Sequence, residues 1–316
     1  MQRFTKVAFT FALLLAALSA NAWGKDLAFA FATAEEGRAI LTARDDYVQR
    51  LSPFDRAAKM KTDRDLTEQE YLTLVGQNAL DWPADEKAMV QAVLADVGPR
   101  VNALNLSWPD AVMFVKTTGA EEGDAAYTRA NAIFLPPGRL SEKARAEMPS
   151  LIVHELFHVL SRHSTALRDR LYAAIGFTPC GEPALPPKLA RVKITNPDAP
   201  VNQHCITLSV AGKPARMMPL IYSSVEKYDV AKGGAFFQYL RFGFVEIADG
   251  PGGGLANDTV VPFQDTAGFL EQVGRNTQYI IHPEEILADN FSYLVLGKPD
   301  LPSPEIIAKM KAILTQ

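Results

Sequence analysis

Between Leu151 and Leu160 the sequence sets three ionisable side chains, His154, Glu155 and His158, into an otherwise apolar run. A buried helix carries such groups only where they find partners, because burial without them costs several kcal/mol. Residues four apart share a helix face, so His154 and His158 project side by side and can bind one tetrahedral ion. Glu155, next to the first of them, is placed to act as general base toward a metal-activated water. The run therefore constrains the whole chain: the fold must bring a further ligand to this helix from elsewhere in the sequence.

That ligand does not follow directly. In a His-x-x-Gly-x-x-His continuation, Ser161 would stand at the glycine position and Ser164 at the last histidine, with His163 one residue out of register. On a helix His163 points nearly opposite His154, which makes it a surface histidine. The segment His282–Phe291 offers more, because Glu285 and Asp289 are four apart on one helical face. One of them can bind the metal while the other orients a ligand histidine.

His154-Glu155-x-x-His158 followed by Glu285-x-x-x-Asp289 resembles the gluzincin class of zinc metallopeptidases. The resemblance implies one catalytic Zn²⁺ held by His154, His158 and Glu285, with Glu155 as base and Asp289 steadying a ligand histidine. It favours Glu285 over His282 and Glu284, since Asp289 lies four residues beyond Glu285 whereas Ala288 lies four beyond Glu284. Tyr127–Phe134 resembles the edge strand on which gluzincins lay an extended peptide, which implies that Asn131 and Ala132 hold the substrate backbone. Lethal-factor-like gluzincins place a tyrosine much as Tyr279 stands here, implying an oxyanion donor, with Tyr222 and Tyr228 competing for that role. The implied partner is a peptide or protein substrate. The resemblance covers the two motif helices and that strand, and the stretch from Phe177 to Asp265 matches no gluzincin. Two other readings stand beside it: hydrolysis of a non-protein amide such as a cell-wall crosslink, and a zinc-stabilised binding protein without turnover. An intact Glu155 argues against the second, because a closed structural site needs no base.

Arg3 and Lys6, the apolar run Val7–Ala20 and the small residues of Ala20-Asn21-Ala22 have the form of a signal peptide over residues 1–22. The run is short for a bilayer, which needs roughly 20 residues. An exported chain, periplasmic or secreted, is expected, with no stable membrane insertion after cleavage. In an oxidising compartment the two cysteines, Cys180 and Cys205, should form a disulfide. The net charge of -4, without long acidic or basic blocks, gives no footprint for nucleic acid or an anionic membrane.

The fold class expected is α+β. Residues 23–105 read as a helical N-terminal subdomain. Thr33 with Glu36 and Thr67 with Glu70 have the spacing of capping boxes, and Pro99 should end or kink a helix. A propeptide role for this region lacks a processing signal. Residues 106–316 read as a zincin-like catalytic domain with a small mixed or antiparallel sheet, two metal-bearing helices and a β-rich insertion at about 177–265. Strands are expected at Ala111–Lys116 and, as one unbroken element, at Ala126–Leu135. A hairpin should join Ile206–Val210 to Met217–Tyr222, and helices should begin at Pro283 and Pro304.

Overall fold

Val112–Thr117 alternates its side chains between two apolar layers, and the rest of the fold is arranged about this strand. In the computed structural model, which describes residues 27–250 and 254–316, Val112 and Phe114 face one buried cluster and Met113 and Val115 face another. The signal-peptide prediction lies outside the described residues, as does the middle of the Gly250–Gly254 turn.

Five strands form the first sheet: β1 (Phe29–Phe31), β2 (Ala79–Leu80), β3 (Val112–Thr117), β4 (Tyr127–Arg129) and β5 (Ala132–Leu135). Their order is β1-β3-β5-β4, with β2 also pairing β3. The β1/β3 and β3/β5 pairs are parallel and the β2/β3 and β4/β5 pairs antiparallel, so the sheet is mixed and β4 forms one edge. Helices α1 (Ala34–Leu41), α2 (Asp46–Arg50), α3 (Pro53–Lys59) and α4 (Glu68–Val75) lie toward one face. There Leu41, Tyr47, Tyr71 and Val75 pack with Val115, Tyr127 and Phe134. The opposite face is covered by α5 (Ala84–Asn102), α6 (Met148–His163) and, later in the chain, a helix at Pro283–Leu296.

Both expected capping boxes form. Pro99 does not end α5, which runs on to Asn102. Gly98 precedes it, and without a Cβ the usual clash between the proline ring and the preceding residue is relieved. Residues 27–105 are also not a separable subdomain. They give two strands to the central sheet, and Val90, Leu94, Val97 and Val101 of α5 share one core with Ile152 and Leu156 of α6. The expected single strand at Ala126–Leu135 is a hairpin, β4 and β5, turning at Ala130, whose φ is +51°. Alanine carries no turn signature, and the one signal of the break is Asn131 beside it.

After α7 (Thr165–Ala174) comes a second, antiparallel sheet: β6 (Phe177–Pro179), β7 (His204–Val210), β8 (Lys213–Ser223), β9 (Leu240–Ile247), β10 (Leu255–Pro262) and β11 (Thr266–Ala267). It occupies the region expected to be β-rich. The β7/β8 hairpin turns at Ala211-Gly212, both at positive φ. Cys180 and Cys205 are disulfide-bonded with Cα atoms 5.9 Å apart, pinning the end of β6 to β7. Closing a loop of this length stabilises by about 3.5 kcal/mol in the chain-entropy picture. Helix α8 (Pro187–Val192) interrupts this region, and α9 (Phe269–Val273), α10 (Pro283–Leu296) and α11 (Pro304–Leu314) complete the chain. Among the described residues no helix is long and apolar enough to cross a membrane.

Candidate metal centre

The apolar residues of α6 and α10 fix the distance between the two motif helices. Ile152, Leu156 and Phe157 of α6 and Ile286, Leu287 and Phe291 of α10 belong to one core, with the Phe157 and Phe291 rings 5.6 Å apart. Ser150 and Ser292 hydrogen bond at 2.8 Å across the same interface. Packing thus turns the polar residues of both helices toward each other.

His154, His158 and Glu285 come together, with ligand atoms all within 4.8 Å of one another. Glu285 Oε2 lies 3.2 Å from His154 Nε2 and 3.6 Å from His158 Nε2. Each imidazole is held from behind by a carboxylate. His154 Nδ1–H donates to Asp289 at 2.8 Å, and His158 Nδ1–H donates to Glu284 at 3.0 Å. With Nδ1 committed as donor, Nε2 is the nitrogen each ring offers to an ion, which on His154 would replace the hydrogen bond to Glu285. Asp289 also accepts from the Thr277 hydroxyl, and Glu284 from Ser161 and Tyr172.

His158 Nε2 is fully buried and has no hydrogen-bond partner. The atom it faces, a carboxylate oxygen, is another acceptor. Five carboxyl groups, of Glu155, Asp198, Glu284, Glu285 and Asp289, border these two imidazoles, whether in contact with the rings or through their charge. An orphaned lone pair among converging acceptors is what a cation would satisfy, and two imidazole nitrogens with a carboxylate are a zinc donor set. The residues present fit the ion.

The charges respond accordingly. Burial would lower the His154 imidazole, but its hydrogen bonds with Asp289 and Glu285 carry it well above the ordinary value. Burial would raise Glu285, yet the charge of His158 and the bond with His154 bring it down to about 2. Glu155 is pushed up by burial to about 7, against the pull of His154 and Thr128. That value suits a group that takes and returns a proton near neutrality.

Tyr279 lines the cleft beside α6 and stacks on His154 at 6.2 Å between centroids, while remaining 41% exposed. Tyr222 and Tyr228 do not reach it: Tyr222 packs against the apolar cluster of the second sheet, and the Tyr228 hydroxyl donates to Gly234 O. His282 caps α10 by accepting from the Glu284 N–H, outside the ligand group.

Asn131 and Ala132 are not placed to hold a substrate. Ala132 lies in β5, paired with Met113 on one side and Arg129 on the other, and no backbone edge is left for strand addition. The Asn131 amide is spent on Ala111 O at 2.7 Å. Strand β4 is the edge, and its outward groups are partly taken. Thr128 N–H donates to Asp198 at 2.6 Å, and the Arg162 guanidinium donates to Thr128 O and Ala130 O.

Several site residues carried no motif. Thr128 donates its hydroxyl to Glu155 Oε2 at 2.8 Å and so orients that carboxylate. Asn196 donates to Glu285 Oε1 at 2.5 Å, fixing the carboxylate. Asp198 stands with Glu155 and His158 in a second group of converging ligand atoms. Asn196 and Asp198 belong to a strap before β7 that is stitched to β8 by Ile194 N–H→Ile221 O, to α3 by Thr195 N–H→Asp55, and to α6 by Arg162. Glu284 alone adjoined a motif residue, and its neighbour Glu285 masked it. Comparison of the chain with protein-family models, with curated proteins and with solved structures finds no match in any of the three.

Proposed function

We propose that this chain is an exported zinc-dependent hydrolase, a metallopeptidase of gluzincin type, with His154, His158 and Glu285 as ligands and Glu155 as general base. The buried, unpartnered His158 Nε2, facing Glu285 between two carboxylate-supported imidazoles, carries the reading. A zinc ion held there would act as a Lewis acid and lower the pKa of water toward about 7.

The chain's own residues supply the rest. Glu155, steadied by the Thr128 hydroxyl, takes a proton from the attacking water and returns it to the leaving amine. Tyr279, on the open side of His154, has its hydroxyl available to a developing oxyanion. The cleft of about 750 Å³ is lined by Ala125 and Ala126 just before β4, which offers extended peptide a backbone edge there in place of Asn131 and Ala132.

The test measures zinc in purified protein by mass spectrometry alongside cleavage of a mixed peptide library. One zinc per chain with cleavage is expected. Zinc without peptide cleavage would shift the reading to a non-protein amide or a binding protein, and a chain without zinc would end it.

A further inference from the structure

Two cavities lie along β4, and Asp198 belongs to the wall of both. The first, about 750 Å³, holds the metal site and meets the chain at Ala125 and Ala126, while the second, about 630 Å³, adjoins Arg129 and Ala130. Pro197-Asp198-Ala199 stands between them. Arg162 clamps it there through Pro197 O and Asp198 O at 3.1 and 2.9 Å, and Asn196 ties it to Glu285. The metal cleft is therefore open toward the start of β4 and barred toward its end.

The bar presents a carboxylate to the cleft. Asp198 accepts one hydrogen bond, from Thr128 N–H. Arg162 is spent on carbonyl oxygens, and among the described residues no lysine or arginine forms an ion pair with the Asp198 carboxylate. The unpartnered His158 Nε2 points into the same space. The positive groups that act on it, the His158 ring and Arg162, make no direct ion pair with it, so the carboxylate can still take one from a ligand.

Strand geometry decides which ligand end arrives there. Thr128 faces outward from β4, and alternation turns the backbone of Ala126 the same way, into the cleft. A peptide added antiparallel to β4 runs its later residues past Ala126 and points its amino-terminal end at Asp198. A parallel peptide would bring its carboxylate there, against a like charge. An α-nitrogen lies about 2.5 Å from its own carbonyl carbon. Asp198 converges with Glu155 and His158 within 4.8 Å, so the bar leaves room for little beyond that one residue.

On the metallopeptidase reading, we propose that the substrate is a peptide with a free amino terminus, that Asp198 binds its α-ammonium, and that the bond broken is the first. Glu155→Gln protein loaded with zinc would be titrated calorimetrically with a peptide and its N-acetylated twin, and the wild type assayed on both. The free peptide should bind and react roughly 100-fold better, the scale of a hydrogen-bonded charge. Asp198→Asn, which keeps the acceptor for Thr128, should reduce that ratio to below about 10-fold while zinc content stays at the wild-type level. Equal binding of the twins, internal cleavage of the acetylated peptide, or undiminished discrimination in Asp198→Asn would each overturn the proposal. All three leave the metallopeptidase reading standing. A wild-type chain that takes up no zinc overturns that reading, and this one with it.

Discussion

Two buried charged clusters lie on opposite faces of the first sheet, and their difference separates a structural ion pair from a site. On the side of α1 to α4, Lys59 meets Glu122 at 2.5 Å, with side chains 0% and 3% exposed. Tyr47 donates to the other Glu122 oxygen, and the ammonium lies 4.1 Å from the Phe236 ring centre. One cation faces one anion. Nearby, Asp55 and Glu121 each have an unpartnered oxygen, and burial raises both carboxyls, so protonation can relieve them. On the other side five carboxyl groups border two imidazoles, and the orphan atom is a lone pair on a ring whose other nitrogen already donates. The first cluster closes on itself. The second leaves a buried ring nitrogen that a cation from outside would satisfy.

If that contrast is right, the largest functional effect comes from a residue that holds nothing together. Glu155→Gln retains an acceptor for the Thr128 hydroxyl and leaves His154, His158 and Glu285 untouched. Turnover of a confirmed substrate should fall by about 10²- to 10⁴-fold, the range of a lost general base, with zinc content and melting temperature preserved. Wild-type turnover in this variant would remove Glu155 from the mechanism.

The mirror experiment targets the closed cluster. Lys59→Met leaves the Glu122 carboxylate buried without its cation and should cost about 3–5 kcal/mol in urea unfolding. Lys59→Met with Glu122→Leu should recover part of that loss. Zinc affinity should not change in either variant, because neither residue touches the ligand group. A loss below about 1 kcal/mol would show that water screens the pair, and the contrast between the clusters would collapse.

What the sequence disclosed follows the same division. Helix-periodic residues announced themselves: α6 and α10 fall where their motifs predict, as do both capping boxes, because local spacing decides them. The β-rich stretch and its disulfide were equally legible. Contacts made by tertiary placement were not. Thr128, Asn196 and Asp198 reach the site from an edge strand and from a strap sewn to the second sheet, and nothing in their local spacing marks them. The strand assigned to substrate was misjudged for one reason. A break at Ala130 turns a single ten-residue run into a hairpin, which moves Ala132 from an edge to the interior.

The smallest effect should lie in the two carboxylates behind the imidazoles, and here the structure ranks residues that the sequence treated unequally in the other direction. Asp289, named by the motif, supports His154 with a side chain 23% exposed. Glu284, which the motif passed over, supports His158 from a side chain 1% exposed and also accepts from Ser161 and Tyr172. Groups in this position typically contribute 10–100-fold to metal affinity. When Asp289 is removed, water can enter and accept from His154 Nδ1–H, with Thr277 close enough to hold it. No such replacement is open to buried His158. Asp289→Ala should therefore weaken zinc by about 10-fold and Glu284→Ala by closer to 100-fold, measured by competition with a chromogenic chelator. The reverse order would mean that His154, not His158, depends more on its supporting carboxylate, and that burial does not set the strength of these contacts.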